Sequence, residues 1–144
     1  MKKLFGLILG VVFLFLTHVC LADQHDADVA KAQVLKKAGK WEEAAATHPR
    51  NLCKAMYFWN AACQTCSFKD AAGNWQLDPN LTRAQKMQTN ALLDKAQASL
   101  DDQSQVGTDD EGCSGVNVKQ LQRLINKVRG AVKIKATLGT PASK

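Results

Sequence analysis

Residues 51–66 read NLCKAMYFWNAACQTC and are the most apolar stretch of the chain after its N-terminal segment. Apolar side chains recur there every three or four residues, which is the spacing of one helix face. Further apolar residues widen that face, and a helix that is apolar almost all round is normally surrounded by other elements. The stretch therefore predicts a central helix over residues 50–66 and an all-α fold built around it.

The flanking segments predict further helices and one short insertion. Residues 26–46 are alanine-rich, Thr82 and Gln85 match a capping box that opens a helix over residues 82–100, and residues 117–139 are amphipathic. Between them, SFKDAAGNWQL at residues 67–77 has turn chemistry flanked by aromatic residues. We expect a small four- or five-helix bundle with a short β-hairpin or loop insertion, stapled by disulfides.

An isolated two-stranded ribbon is marginally stable in water. The predicted ribbon at residues 67–77 therefore needs support from outside itself. We expect Phe68 or Trp75 to dock on the helices, or the nearby cysteines to hold the ribbon in place.

A local pattern at residues 38–44, AGKWEEA, resembles the turn between the two helices of a tetratricopeptide repeat. The resemblance covers Ala32 to Ala44 only, and no second copy follows at the repeat's period of ~34 residues. It implies a helical hairpin in this region, and it does not imply a repeat protein.

The N-terminus has the three parts of a secretory signal. Lys2 and Lys3 precede an apolar run over residues 4–16, and small residues at Cys20 and Ala22 place cleavage before Asp23. The run is shorter than the ~20 residues of a spanning helix. Residues 1–22 are thus predicted to be a cleaved signal peptide, with an uncleaved anchor and lipoprotein processing at Cys20 as the alternatives.

This prediction sets the localisation and the domain organisation. Residues 23–144 become one helical domain with a frayed C-terminal tail, secreted or periplasmic, without a transmembrane segment. The double-lysine start favours a bacterial signal and hence the periplasm or the medium.

Charge is concentrated at the C-terminus. Residues 117–144 contain seven Lys or Arg and no Asp or Glu, although the whole chain has a formal net charge of only +6. An apolar stripe runs along this segment and predicts a helix that packs on the core, with burial in a membrane interface as the alternative. The candidate basic binding face lies off that stripe and comprises Lys119, Arg123, Lys127 and Lys133.

Four cysteines remain after signal cleavage, and an even number in a small exported protein indicates two disulfides. In one helix over residues 50–66, Cys53 and Cys63 are ~15 Å apart at 1.5 Å per residue. A disulfide requires Cα atoms within ~7 Å of one another. The prediction is therefore Cys63–Cys66 together with Cys53–Cys113, unless the helix breaks near Ala61.

The CxxC motif formed by Cys63 and Cys66 is interpreted as structural. Haem attachment needs a histidine directly after the second cysteine, where this chain has Ser67. Thioredoxin-type chemistry places the reactive cysteine at a helix N-terminus, whereas this pair follows the central helix. Zinc binding needs thiolates, which an oxidising compartment consumes.

The sequence contains no catalytic signature, and we expect no metal, no cofactor and no specific nucleic acid partner. The leading hypothesis is an exported, non-enzymatic protein, a monomer or weak oligomer, that binds a partner protein or an envelope component. The alternatives are a thiol-disulfide redox protein that uses Cys63 and Cys66, and an anionic-surface binder that uses the basic C-terminal helix.

Overall fold

The computed structural model describes residues 24–102, Cys113 and residues 117–134. The fold is mostly helical with one small antiparallel sheet. Its elements are α1 (residues 24–37), α2 (Trp41–Thr47), α3 (Asn51–Cys66), β1 (Ser67–Lys69), β2 (Trp75–Leu77), α4 (Arg83–Asp101) and α5 (Val118–Ala131). Within the described ranges, every helix falls short of the length or apolarity that crossing a bilayer requires. The predicted signal peptide and the C-terminal tail lie outside these ranges.

Helix α3, which spans the stretch predicted to be helical, is in contact with α2, α4 and α5. At its middle, Tyr57 is fully buried. The rings of Trp41 and His48 meet the Tyr57 ring edge-on, with centroids 5.7 and 5.5 Å away. This aromatic cluster joins α2 and the α2–α3 connection to the central helix.

The chain turns between α1 and α2 at Gly39, which has a φ of +75°. Only a residue without a Cβ adopts this left-handed conformation readily, and it is a common way to end a helix. The amide of Lys40 donates to the carbonyl of Leu35 across the turn, at 2.9 Å. A turn between two helices, as AGKWEEA implies, is therefore present at this position.

Helix α4 begins with the predicted capping box. The Thr82 hydroxyl accepts a hydrogen bond from the Gln85 amide at 3.1 Å, and the Gln85 side chain accepts one from the Thr82 amide at 2.9 Å. These bonds satisfy amides that a helix start otherwise leaves unpaired. Further along, Leu92 and Leu93 enter the core shared with α3.

Helix α5 begins at an Asn117 cap and turns its apolar stripe inward. Leu121, Ile125 and Val132 are buried, and α5 contacts both α3 and α4. This is the arrangement that the core interpretation of the stripe predicts.

One disulfide, Cys53–Cys113, is present among the described residues, with Cα atoms 5.6 Å apart and both side chains buried. This bridge is one of the two that the sequence predicts. The other is absent from the structure, in which Cys63 and Cys66 are free thiols. Helix α3 continues through Cys66. The Cys66 sulfur is directed at the backbone carbonyl oxygen of Cys63, 3.8 Å away, and not at the Cys63 sulfur.

Candidate functional site

The β-hairpin that follows α3 has a defined register. Strand β1 pairs antiparallel with β2, which places Phe68 opposite Gln76 and Lys69 opposite Trp75. The amide of Asp78 donates to the carbonyl of Cys66 at 2.9 Å, directly below the ladder. The hairpin therefore continues from the end of α3 without an intervening linker.

The turn of the hairpin is organised by the carboxylate of Asp70. One oxygen accepts hydrogen bonds from the amides of Ala72 and Asn74, at 3.0 and 2.8 Å, and the other accepts one from the Gln76 side chain at 3.3 Å. These bonds, led by the one from Asn74, hold the pKa of Asp70 below its ordinary value. Gly73 supplies the left-handed residue of the turn, with a φ of +81°. The turn thus has a fixed shape at neutral pH.

Large apolar side chains on this fixed hairpin are open to solvent. Trp75 is 60% exposed, Phe68 45% and Leu77 43%. Alternation along the strands puts Trp75 and Leu77 on one face with Lys69, and Phe68 on the other. The Lys69 ammonium lies 5.2 Å from the centre of the Trp75 ring, within the range of a cation–π contact.

This exposure contradicts one of the two supports that the sequence predicted for the hairpin, docking of an aromatic side chain, and leaves the other, support at the nearby cysteines. Neither Phe68 nor Trp75 docks on the helices, so the aromatic residues do not support the hairpin by burial. The support comes from α3 itself, through the Asp78–Cys66 hydrogen bond and through the Ser67 hydroxyl, which donates to the carbonyl of Cys63. Trp75 and Leu77 lie on the same face of the hairpin, and exposed apolar side chains that lie together mark interaction sites in soluble proteins.

The structure places the predicted basic face together on the outer side of α5. All four residues of that face are exposed, opposite the buried stripe of the helix. The remaining cation of α5, Arg129, is bound to Asp94 of α4 at 2.8 Å. Within the described part of the chain, no ion pair reaches any of the four.

The CxxC pair lies at the C-terminal end of α3, where Cys63 is half-buried and Cys66 is buried. Burial, with a smaller contribution from neighbouring Cys66, raises the pKa of Cys63 to about 12. Burial also raises the pKa of Cys66, although hydrogen bonds with its own backbone and with Thr89 oppose the rise. Thiol–disulfide exchange proceeds through a thiolate, so this environment disfavours redox chemistry at the pair.

The described residues do not form a metal-binding cluster. No group of three or more His, Cys, Asp or Glu side chains lies close enough there to hold an ion. The acidic segment over residues 103–112 lies outside the described residues.

The chain was also compared with known proteins. No protein-family model matches it, and neither curated proteins nor solved structures gave a significant match.

Proposed function

We propose that the mature chain, residues 23–144, is an exported, non-enzymatic protein that binds a partner protein through the β-hairpin. The observation that carries the proposal is the exposure of Phe68, Trp75 and Leu77 on a hairpin of fixed shape. Export rests on the N-terminal signal pattern. In this proposal the helices form one small bundle that acts as the scaffold for the hairpin.

The exposed surface is large enough to anchor a complex. A tryptophan buries up to ~250 Å², so the 60% of Trp75 that is exposed leaves roughly 150 Å² for a partner to cover. At ~25 cal/mol per Å² this area corresponds to at most about 4 kcal/mol, before the costs of association are subtracted. Hot-spot residues in protein interfaces contribute energies of this size and are enriched in tryptophan.

The fixed turn favours binding further, because little conformational entropy is lost when a partner docks on an ordered loop. Asp70 holds the turn through hydrogen bonds to Ala72, Asn74 and Gln76 in the unbound protein. Lys69 beside Trp75 adds a positive charge, which suits a partner with a carboxylate next to its apolar pocket.

The polar tip of the hairpin favours a protein partner over insertion into a membrane. Asp70 and Asn74 stand at the tip, beyond the apolar side chains of the strands. Insertion tip-first would bring the Asp70 carboxylate into the bilayer, and the lowered pKa of Asp70 keeps that group ionised. A protein surface can pair the same carboxylate with a donor.

The proposal is tested by photocrosslinking in the cells that export the protein. A photoreactive phenylalanine analogue replaces Ala72 at the hairpin tip, and a matched protein carries the analogue at Ala30, an exposed alanine of α1. We expect a discrete protein adduct from position 72 that is lost in the Trp75→Ala background. Adducts of equal yield from position 30, adducts that survive Trp75→Ala, or the absence of any protein adduct would each overturn the proposal.

A stability control separates loss of binding from loss of fold. Trp75 is mostly exposed, so Trp75→Ala should leave the melting temperature within about 2 °C of wild type. Trp41→Ala should lower it clearly, because Trp41 is half-buried and packs against the Tyr57 ring. Val34→Ala removes an exposed apolar side chain elsewhere, on α1, and should affect neither the adduct nor the melting temperature.

A further inference from the structure

We propose that the outer face of α5 attaches the protein to a bilayer that carries anionic headgroups. The contact is made by the basic face already defined, Lys119, Arg123, Lys127 and Lys133. It is separate from the hairpin and rests on different observations.

The spacing of the basic residues builds one continuous charged row. Lys119, Arg123 and Lys127 stand on successive turns of α5, about 6 Å apart along the helix at 1.5 Å per residue. Lys133 extends the row just beyond the end of the helix. The buried side chain of Ile125 lies on the opposite side, so the row points away from the core.

No acidic group within the described residues neutralises this row. Asp94 is the acidic residue of α4 that reaches α5, and it pairs with Arg129 at 2.8 Å. Helix α5 itself contains no Asp or Glu, and neither does the rest of residues 117–144. Among the described residues, the row is therefore a cluster of positive charge without a paired carboxylate.

The composition of the row favours an anionic surface over an acidic protein. Gln120, Asn126 and Gly130, which share this side of the helix, supply no aromatic or large apolar anchor of the kind that protein interfaces use, and the exposed Val118 and Ile134 lie at the two ends of the row. Flexible cations spread along a convex helix suit headgroups that move laterally and repeat. Each such cation strengthens binding to an anionic leaflet by about fivefold.

The burial of the apolar stripe determines how α5 can attach. Leu121, Ile125 and Val132 are already covered by the core, so they cannot also enter the bilayer. The attachment is therefore electrostatic and superficial, and salt should release it. The sequence-based alternative, in which this stripe inserts into the membrane interface, does not fit the structure.

The test measures co-sedimentation of the purified exported protein with phosphatidylcholine vesicles, with and without phosphatidylglycerol. One variant combines Lys119→Gln, Arg123→Gln and Lys127→Gln. Its matched control combines Lys31→Gln, Lys37→Gln and Arg83→Gln, which lowers the net charge equally at exposed positions of α1 and α4. We expect wild-type binding only to the anionic vesicles, a loss of about 100-fold in the first variant and less than about 10-fold in the control.

Other outcomes would overturn the proposal. They are no binding by wild type, equal losses in the two triple variants, and binding that persists at ~1 M salt, where the Debye length is ~3 Å. Binding of polyglutamate through the same residues without binding to vesicles would assign the row to an acidic protein. Trp75→Ala should leave vesicle binding unchanged, and its loss there would assign membrane contact to the hairpin and also contradict the proposed protein partner.

Discussion

Removing the Cys53–Cys113 bridge should make the protein much easier to unfold. The two cysteines are 60 residues apart in the chain, so the bridge closes a long loop in the unfolded state. The chain-entropy relation for a loop of this length gives about 4 kcal/mol of stabilisation. Small domains are stable by only about 5–15 kcal/mol, so the double variant Cys53→Ala with Cys113→Ala should lose a large part of its free energy of unfolding.

Urea unfolding followed by circular dichroism, with and without reductant, measures this loss. Reductant should shift the unfolding midpoint of the wild type and of the matched Cys63→Ala, Cys66→Ala variant, and it should leave the bridge-less variant unchanged. A loss below about 1 kcal/mol in the bridge-less variant would refute the loop-closure reasoning. A reductant-dependent shift in that same variant would show that Cys63 and Cys66 form a bridge in the purified protein.

Two further predictions concern the Cys63 thiol at the end of α3 and the packing of α5. The pKa of Cys63, raised to about 12 from the ordinary 9.0, leaves roughly one thiol in 10,000 ionised at pH 8. Alkylation of Cys63 by iodoacetamide should therefore be slow at pH 8 and rise about tenfold per pH unit, and a rate equal to that in urea would contradict the buried setting. Because the pKa of Cys63 is higher in the folded protein, the neutral thiol contributes stability that is fully present below pH 9.0 and is lost as the pH rises toward 12. In a pH series of melting curves, Cys63→Ala should therefore reduce the fall in melting temperature at alkaline pH. Ile125→Ala should lower the free energy of unfolding in urea by about 2–5 kcal/mol, because the Ile125 side chain is fully buried. Lys127→Gln on the outer face should change it by less than about 0.5 kcal/mol. Equal losses in the two variants would mean that α5 is not packed as described.

The helices were predictable from the sequence because their signals are local. The apolar period of residues 51–66, the Thr82–Gln85 capping box and the alternation of cations with the α5 stripe all act within a few residues. Helical geometry also places Lys119, Arg123 and Lys127 opposite the stripe, whereas the predicted helix over residues 117–139 ends at Ala131 and Lys133 lies beyond it. That these cations form a binding face stays a prediction.

The hairpin and the second cysteine pair were predicted less well, for different physical reasons. The turn chemistry of residues 70–74 indicates a hairpin, but whether Trp75 is buried depends on what other segments place beside it, and no local pattern records that. The disulfide argument used only the number of cysteines and helix length. It separated Cys53 from Cys63 correctly, and it did not consider that the Cys66 thiol can be directed at a backbone carbonyl of its own helix.

The direct passage from α3 into β1 determines which part of the protein could be transplanted. Cys66 ends the helix and Ser67 begins the strand, and the Asp78–Cys66 hydrogen bond closes the base of the ribbon on that helix end. A synthetic peptide of residues 67–77 would lack this base and would be a marginal two-stranded ribbon in water. A graft that keeps Trp75 in its present orientation therefore needs the continuous unit from α3 through the capped start of α4. The host protein must be helical, so that it replaces the contacts that the remaining helices make with this unit.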